Sequence, residues 1–433
     1  MKRYKLLVPA VLIALFAVSV YMLYGANADI EDRYKENLEA ARLYARQGII
    51  VDAAVSYGKT LEIRNSFELQ MEIAEFYRDG GELDKAVNWG YEMLGDYPKS
   101  SEVYLYLMEI FAQAKDYAAC FQLFDTMQKR GAPTEPLAEL MEELDDLYFF
   151  HGGYEDVSVF GGGYCAVMTN GAWGFVNEEG RRVVKSRFAE VGAFRQDLAP
   201  VLDGEMQAYF IDTDGNKKKT ALGVENVQKL GCIEDGVYTL YNGDTWGLYN
   251  GDNELIVGGF DEASSFMNGA VAVRRGEKWS VLGGDGAAMT PDTYDGVVRD
   301  EKGAVYRSGR LFVLENGGYY LIDGSGRRIT ETRFEDARLF NDATYAAVKS
   351  GGKWGFIDTD GKYFIEPEYD AARSFSNGFA AVKTDGKWGF IDAEKRLAIE
   401  NIFEDAKDFN SRGCAFVRGG GDWELLKLYK FNH

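Results

Sequence analysis

Histidine occurs twice in the 433 residues, at His151 and His433. No Gly-x-Ser-x-Gly turn accompanies His151, so a serine-histidine-acid relay lacks its parts. The cysteines, Cys120, Cys165, Cys232 and Cys414, are scattered without a Cys-x-x-Cys pair, so neither a zinc nor a thioredoxin-like signature is present. Three of them stand at apolar positions, as small buried hydrophobes do, and pairing in an oxidising compartment stays open. The string "DTDG", at Asp212–Gly215 and Asp358–Gly361, offers carboxylates to a calcium ion, but it lacks the further ligands and closing glutamate of an EF-hand loop. A strand-reversing turn is the expected role. Asp and Glu total 69, yet no two are singled out as an acid-base pair for glycoside cleavage. No P-loop, G-x-G-x-x-G or H-E-x-x-H string occurs. No catalytic, metal or cofactor-binding residue is therefore assigned, and the chain is expected not to be an enzyme.

Lys and Arg total 48, which leaves a formal charge of −21. Such a surface repels phosphate backbones, so nucleic acid is not an expected partner. "KKK", Lys217 to Lys219, follows a turn and reads as a solvated loop. The N-terminus runs "MKRYK" and then Leu6 to Tyr24 without a charge. A bilayer core takes about 20 apolar residues as a helix. Lys2, Arg3 and Lys5 before the run, and Asp29, Glu31 and Asp32 after it, predict a single-pass anchor with the bulk of the chain extracytoplasmic. "ANA", Ala26 to Ala28, also fits a signal-peptidase site, and cleavage after Ala28 would secrete the protein. Residues 1–28 form this first segment.

Residues 29–150 read as helical, charged and rich in Leu and Ala, with turns that recur. Gly48 precedes Ala53 and Tyr57; Gly81 precedes Ala86, Gly90 and Pro98; Lys115 precedes Cys120, Phe124 and Pro133. This period resembles tetratricopeptide repeats, paired helices of about 34 residues. Gly90 stands where that pattern has a large aromatic, and Lys115 where it has the turn glycine. The segment from Pro136 to Phe149 is expected to be a capping helix. The resemblance implies a concave groove for a protein partner; a spacer is the other reading.

Residues 151–433 change texture to short alternating runs between turn residues. "GKWGFIDTDGK" at Gly352 returns as "GKWGFID" at Gly386. Aligned on it are Trp173-Gly174, Ala208-Tyr209, Trp246-Gly247, Trp279-Ser280, Tyr319-Tyr320, Trp354-Gly355, Trp388-Gly389 and Trp423-Glu424, a spacing of about 35 residues over eight units. An aromatic-acid-x-Ala string precedes most of them, as in "YDAARSFSNGFAAV", "FEDARLFNDATYAAV" and "FEDAKDFNSRGCAFV". Alternation puts Trp354, Phe356 and Asp358 on one strand face, with Gly355 and Ile357 on the other. The glycine is expected to admit a neighbouring unit's backbone or ring, and units without it to have looser or exposed junctions.

This pattern resembles the WG-repeat (KWG) family of bacterial proteins. The resemblance implies a repeat module and no particular reaction. The overall expectation is a multidomain α and β chain: an N-terminal transmembrane helix, a TPR-like helical solenoid, and an all-β WG-repeat domain that is a propeller-like ring or an open β-solenoid. The expected role is non-catalytic protein binding or scaffolding at the bacterial envelope. The alternative is binding of carbohydrate or cell-wall glycan on exposed aromatics.

Overall fold

The computed structural model describes residue 16 and residues 27–218, 226–291, 293–341 and 345–432. Apart from Phe16, the apolar run Leu6 to Tyr24 lies outside them, as does Lys219 of the lysine run. Among the described residues no helix is long and apolar enough to cross a membrane. The chain divides into two compact units after Leu144.

The first unit is helical: α1 (27–46), α2 (Ile50–Ile63), α3 (Phe67–Asp79), α4 (Leu83–Asp96), α5 (Ser101–Gln113), α6 (Tyr117–Arg130) and the short α7 (Ala138–Leu144). Helices α2, α4 and α6 begin at Ile50, Leu83 and Tyr117, so three helical hairpins recur every 33 or 34 residues. Their turns use left-handed backbone at Gly48, Gly81 and Lys115, so the lysine adopts the conformation the glycines favour. Ala53, Ala86 and Cys120 are fully buried where the helices cross. Gly90 is explained by close packing: a Cβ there would lie 2.6 Å from Leu107 Cδ2 of α5.

The expected capping helix stops short. It ends at Leu144, and Tyr148–Tyr154 is a strand paired antiparallel with Trp423–Leu428. Its consecutive aromatics suit a pleated surface better than a helix. The boundary expected at 150/151 therefore moves upstream, and this strand belongs to the second unit.

The second unit is a seven-blade β-propeller of antiparallel sheets. The Trp388 unit shows the plan: strands Ala371–Ala372, Phe379–Thr384, Lys387–Asp392 and Leu397–Phe403 pair in that order. Eight sequence units make seven sheets because one strand, Arg182–Val191, serves two. Trp173 pairs with its Phe188, and its Val191 pairs with Val201, which fuses the Trp173 and Tyr209 units into a six-stranded sheet. The ring is closed, not an open solenoid. Tyr148–Tyr154 supplies the outer strand of the last sheet. Cys165, Val167 and Val176 share a core with Cys414, Phe416 and Trp423. Asn410 Nδ2 donates to the Glu178 carbonyl at 3.2 Å, and Lys427 Nζ to that of Glu179 at 3.2 Å. All four cysteines are buried with free thiols.

The repeated glycine does its work inside its own unit. A Cβ on Gly174, Gly355 or Gly389 would lie 2.5–2.6 Å from the carbonyl oxygen of Val184, Ile365 or Ile399, in the next strand of the same sheet. That strand shifts register opposite the glycine, as a β-bulge does. Ser280 and Tyr320 occupy sheets whose ladder has three strands. There the returning segment touches down only at isolated bridges, such as Trp279 with Tyr294 and Tyr319 with Phe334. Ser280 is 1% exposed, so the expected loose or exposed junction is not found; the fourth strand has given way instead.

Candidate functional site

The two-residue strand that opens each unit is followed by residues that converge from around the ring. In the last three units the next residue is basic: Arg338 after Asp336–Ala337, Arg373 after Ala371–Ala372, and Lys407 after Asp405–Ala406. In earlier units the same slot is small, as at Ser158, Gly192, Gly231 and Ser264. The remaining unit carries a longer loop after Gly296–Val297, "VRDEKGA", which crosses to all sides of the axis. Lys302 Nζ donates to the Phe160 carbonyl at 3.3 Å. A Cβ on Gly303 would lie 2.8 Å from Ser265 Oγ, so glycine is needed where the loop presses on that unit. Ala304 is fully buried beside Cys232, Met267 and Leu339. Asp300 Oδ1 accepts from the amides of Lys302 and Ala304, at 2.9 and 2.8 Å, and fixes the turn. The loop is a plug across the propeller axis.

At one mouth the plug meets the basic residues. Glu301 pairs with Arg373 and accepts from Lys407 Nζ at 2.8 Å. Arg373 Nε reaches Asp408 Oδ1 at 2.8 Å, and Asn341 Nδ2 donates to Asp408 Oδ2 at 3.2 Å. Burial alone would push the Glu301 carboxyl up, but Arg373 and then Lys407 outweigh it and hold it at about 2. Burial works against the charge on Arg373 too, and Asp408 and Glu301 reverse that. Arg338 differs. Its Nε donates to the Ala372 carbonyl at 2.9 Å, its guanidinium lies 5.3 Å from the Trp354 ring centroid, and among the described residues its two terminal nitrogens make no hydrogen bond. Burial, then Arg373, disfavours its charge. Glu301, Arg338, Asn341, Arg373 and Asp408 line a cavity of about 90 Å³. A second cavity, of about 230 Å³, is lined by Lys302, Arg307, Asn377 and Asn410.

The match to known families follows the same repeats. A family model described as WG containing repeat matches residues 173–205, 246–279, 321–354, 354–388 and 388–423. The C-terminal region is a WG-repeat domain. No curated protein matches the chain. Solved structures similar to it include the computationally designed Ika8 protein, at 11% identity and TM-score 0.45, over 64% of this chain and 98% of that one. BamB from Moraxella catarrhalis aligns at 10% identity and TM-score 0.42, over 65% and 100% respectively.

Within the WG-repeat domain the tryptophans are structural. Trp279, Trp354, Trp388 and Trp423 are buried, and Trp173 and Trp246 are half-buried. Cations cover several faces: Arg299 lies 5.0 Å from the Trp279 centroid, and Arg418 lies 5.2 Å from that of Trp423. The four buried rings do not offer the open faces that sugar stacking needs. The Asp closing each string holds a turn. Asp358 Oδ1 accepts from Asp360 and Lys362 amides at 2.9 Å each, and Asp212 Oδ1 from Asp214 and Asn216 at 3.1 and 2.8 Å. Lys218 lies 2.8 Å from Asp212 and holds its carboxyl down at about 2. Both "DTDG" strings are thus occupied as hairpin turns. His151 is in the ring-closing strand, opposite Leu425.

Two further signals stand in the sequence. The basic residue after Ala, in three successive copies, marks the axial mouth. The acid after each leading aromatic caps the tip of the following hairpin: Glu155 accepts from the Asn170 and Gly171 amides at 2.7 and 2.8 Å, Asp261 from Gly276 at 2.7 Å, and Glu335 from Gly352 at 3.0 Å.

In the helical unit, considered by itself, a groove of about 440 Å³ is lined by residues of α1, α2 and α3. Arg42 donates twice to Glu72 at 2.7 Å, and Tyr57 OH donates to Glu72 at 3.0 Å. Arg42 holds the Glu72 carboxyl below its ordinary value against burial. Its lining mixes both charge signs.

Proposed function

We propose that this protein is a non-catalytic binding or scaffolding module at the bacterial envelope, held there by the Leu6–Tyr24 run. The helical hairpins and the WG-repeat domain serve as two binding platforms, the hairpins in the manner of tetratricopeptide repeats. The observation that carries this reading is the use made of the axial carboxylates. Glu301 and Asp408 are committed to Arg373 and Lys407, and Glu301 is held ionised far below neutral pH. A carboxylate so paired is unsuited to donate or accept protons near pH 7. An axial mouth whose carboxylates are paired in this way supports recognition better than turnover.

The test places a photo-cross-linking residue in the full-length protein in cells, at Arg299 beside the axial mouth or at Tyr91 of α4, both exposed. The reading expects one discrete partner from at least one position, absent without light. A turnover activity that Glu301→Gln abolishes in a folded protein would replace it with an enzymatic reading. Release of the protein from membranes by salt alone would sink the anchored location.

A further inference from the structure

The geometry points to an oxyanion-binding site at the axial mouth of the propeller, in which Arg338 grips one carboxylate or phosphate group, Arg373 lines the same cavity, and Lys407 stands behind Glu301 at its edge. The inference goes beyond the scaffolding reading, because a sensor of a small anion would use the same cations.

Three observations combine. Three successive units place a cation at one repeated slot, where earlier units have Ser or Gly. Glu301 already sits against two of those cations, so the site holds a carboxylate of the chain's own and its polarity is written in place. Arg338 is the cation left over: its two terminal nitrogens have no hydrogen bond among the described residues, while its Nε and its face are tied to the Ala372 carbonyl and the Trp354 ring. A guanidinium fixed on one edge, with its other edge open to a cavity, is arranged for a paired grip on an oxyanion. The cavity of about 90 Å³ holds several waters, or one carboxylate or phosphate group in their place. The overall charge of −21 does not forbid this. Exposed charges beyond a Debye length of about 8 Å are largely screened at physiological salt, so the lining decides, and there Arg299, Lys302, Arg338 and Arg373 outnumber Asp300, Glu301 and Asp408.

The experiment is calorimetric titration of the full-length protein at low ionic strength with two probes, inorganic phosphate and a tetraglutamate peptide. Wild type is expected to bind at least one. Arg338→Gln is expected to weaken that binding roughly tenfold or more, as loss of a charge-assisted pair does. Glu301→Gln is expected to strengthen it, because Arg373 and Lys407 lose their resident carboxylate; a merely structural role for the cluster would not produce a gain. Phosphate bound more tightly than the peptide assigns the site to a free oxyanion, and the reverse assigns it to an acidic segment of a partner. Failure of both probes to bind wild type at millimolar concentration overturns the inference. So does equal binding by wild type and a folded Arg338→Gln, or no gain in Glu301→Gln. If Arg338→Gln does not fold, Arg338→Lys keeps the charge but not the fork, and undiminished binding there counts against the paired grip.

Discussion

In the Trp388 unit, Gly389 lies beneath a fourth strand whose backbone would be 2.5 Å from any Cβ placed on it. In the Trp279 unit, Ser280 fills the same slot, and the returning segment meets the third strand only at isolated bridges. Thr290, 2% exposed, then spans the gap, its hydroxyl accepting from the Val281 amide at 2.9 Å. Both units bury their tryptophan to within 8% of full exclusion. In these two units the tryptophan is buried alike, and the residue after it goes with whether the fourth strand zips onto the third; in the Trp423 unit Glu424 takes that slot and the fourth strand, Tyr148–Tyr154, shifts register opposite it. A second contrast runs around the axis: the last three units present cations to the plug, while the early ones present small residues that let it lie close.

The sharpest way to break the first contrast is Gly389→Ala. Its Cβ meets backbone that cannot rotate away, so a loss of about 2–3 kcal/mol is expected, read by urea unfolding followed by tryptophan fluorescence. Ser280→Ala should cost under about 1 kcal/mol; equal losses at the two positions would refute the bulge as the reason for glycine. The axial contrast is probed by Glu301→Gln, expected to cost about 1–2 kcal/mol, since the pair is only partly screened from water. Its signature is in the pH dependence. The Glu301 carboxyl is held at about 2, below its ordinary value of 4.5, so its stabilisation is complete above pH 4.5 and lost as pH falls toward 2. Thermal midpoints across that window should converge between wild type and Glu301→Gln; parallel curves would exclude the linkage. A smaller effect, about 1 kcal/mol, is expected for Glu155→Ala, which frees two hairpin-tip amides. Amide hydrogen exchange at Asn170 and Gly171 should accelerate, and unchanged protection would show that the acid is not a cap. The smallest change is a gain. Lys115→Gly relieves a left-handed lysine at φ 58° and should stabilise the helical unit by about 0.5 kcal/mol in thermal unfolding followed by circular dichroism.

The repeat was legible because Trp, Gly and Asp each answer a local need: a ring to bury, a bulge to admit, a turn to hold. The helical hairpins were legible for the same reason, through Gly48, Gly81 and the small residues after them. What was not legible depends on residues far apart in the chain. Nothing near Tyr148 announces that its partner is Leu428, so its sequence reads as the tail of a helix. The fusion of two units through Arg182–Val191 is not legible either, because each half of that strand follows the repeat pattern and only the pairing joins them. At the axis, Arg338, Arg373 and Lys407 stood in the open within strings already aligned. Their meaning required knowing that the slot faces a plug contributed by another unit.

Ring closure by Tyr148–Tyr154 carries a consequence for biosynthesis. Asp145 and its ion-pair partner Lys430 are 285 residues apart. At about 5–20 residues per second, the first strand of the ring leaves the ribosome roughly 15–60 s before the strand it must pair with exists. During that interval an aromatic edge stands unpaired, and the early sheets have no last neighbour to pack against. The ring cannot lock until the final sheet arrives, so the newborn chain stays open to chaperones, proteases and other copies of itself until Trp423–Leu428 has been made.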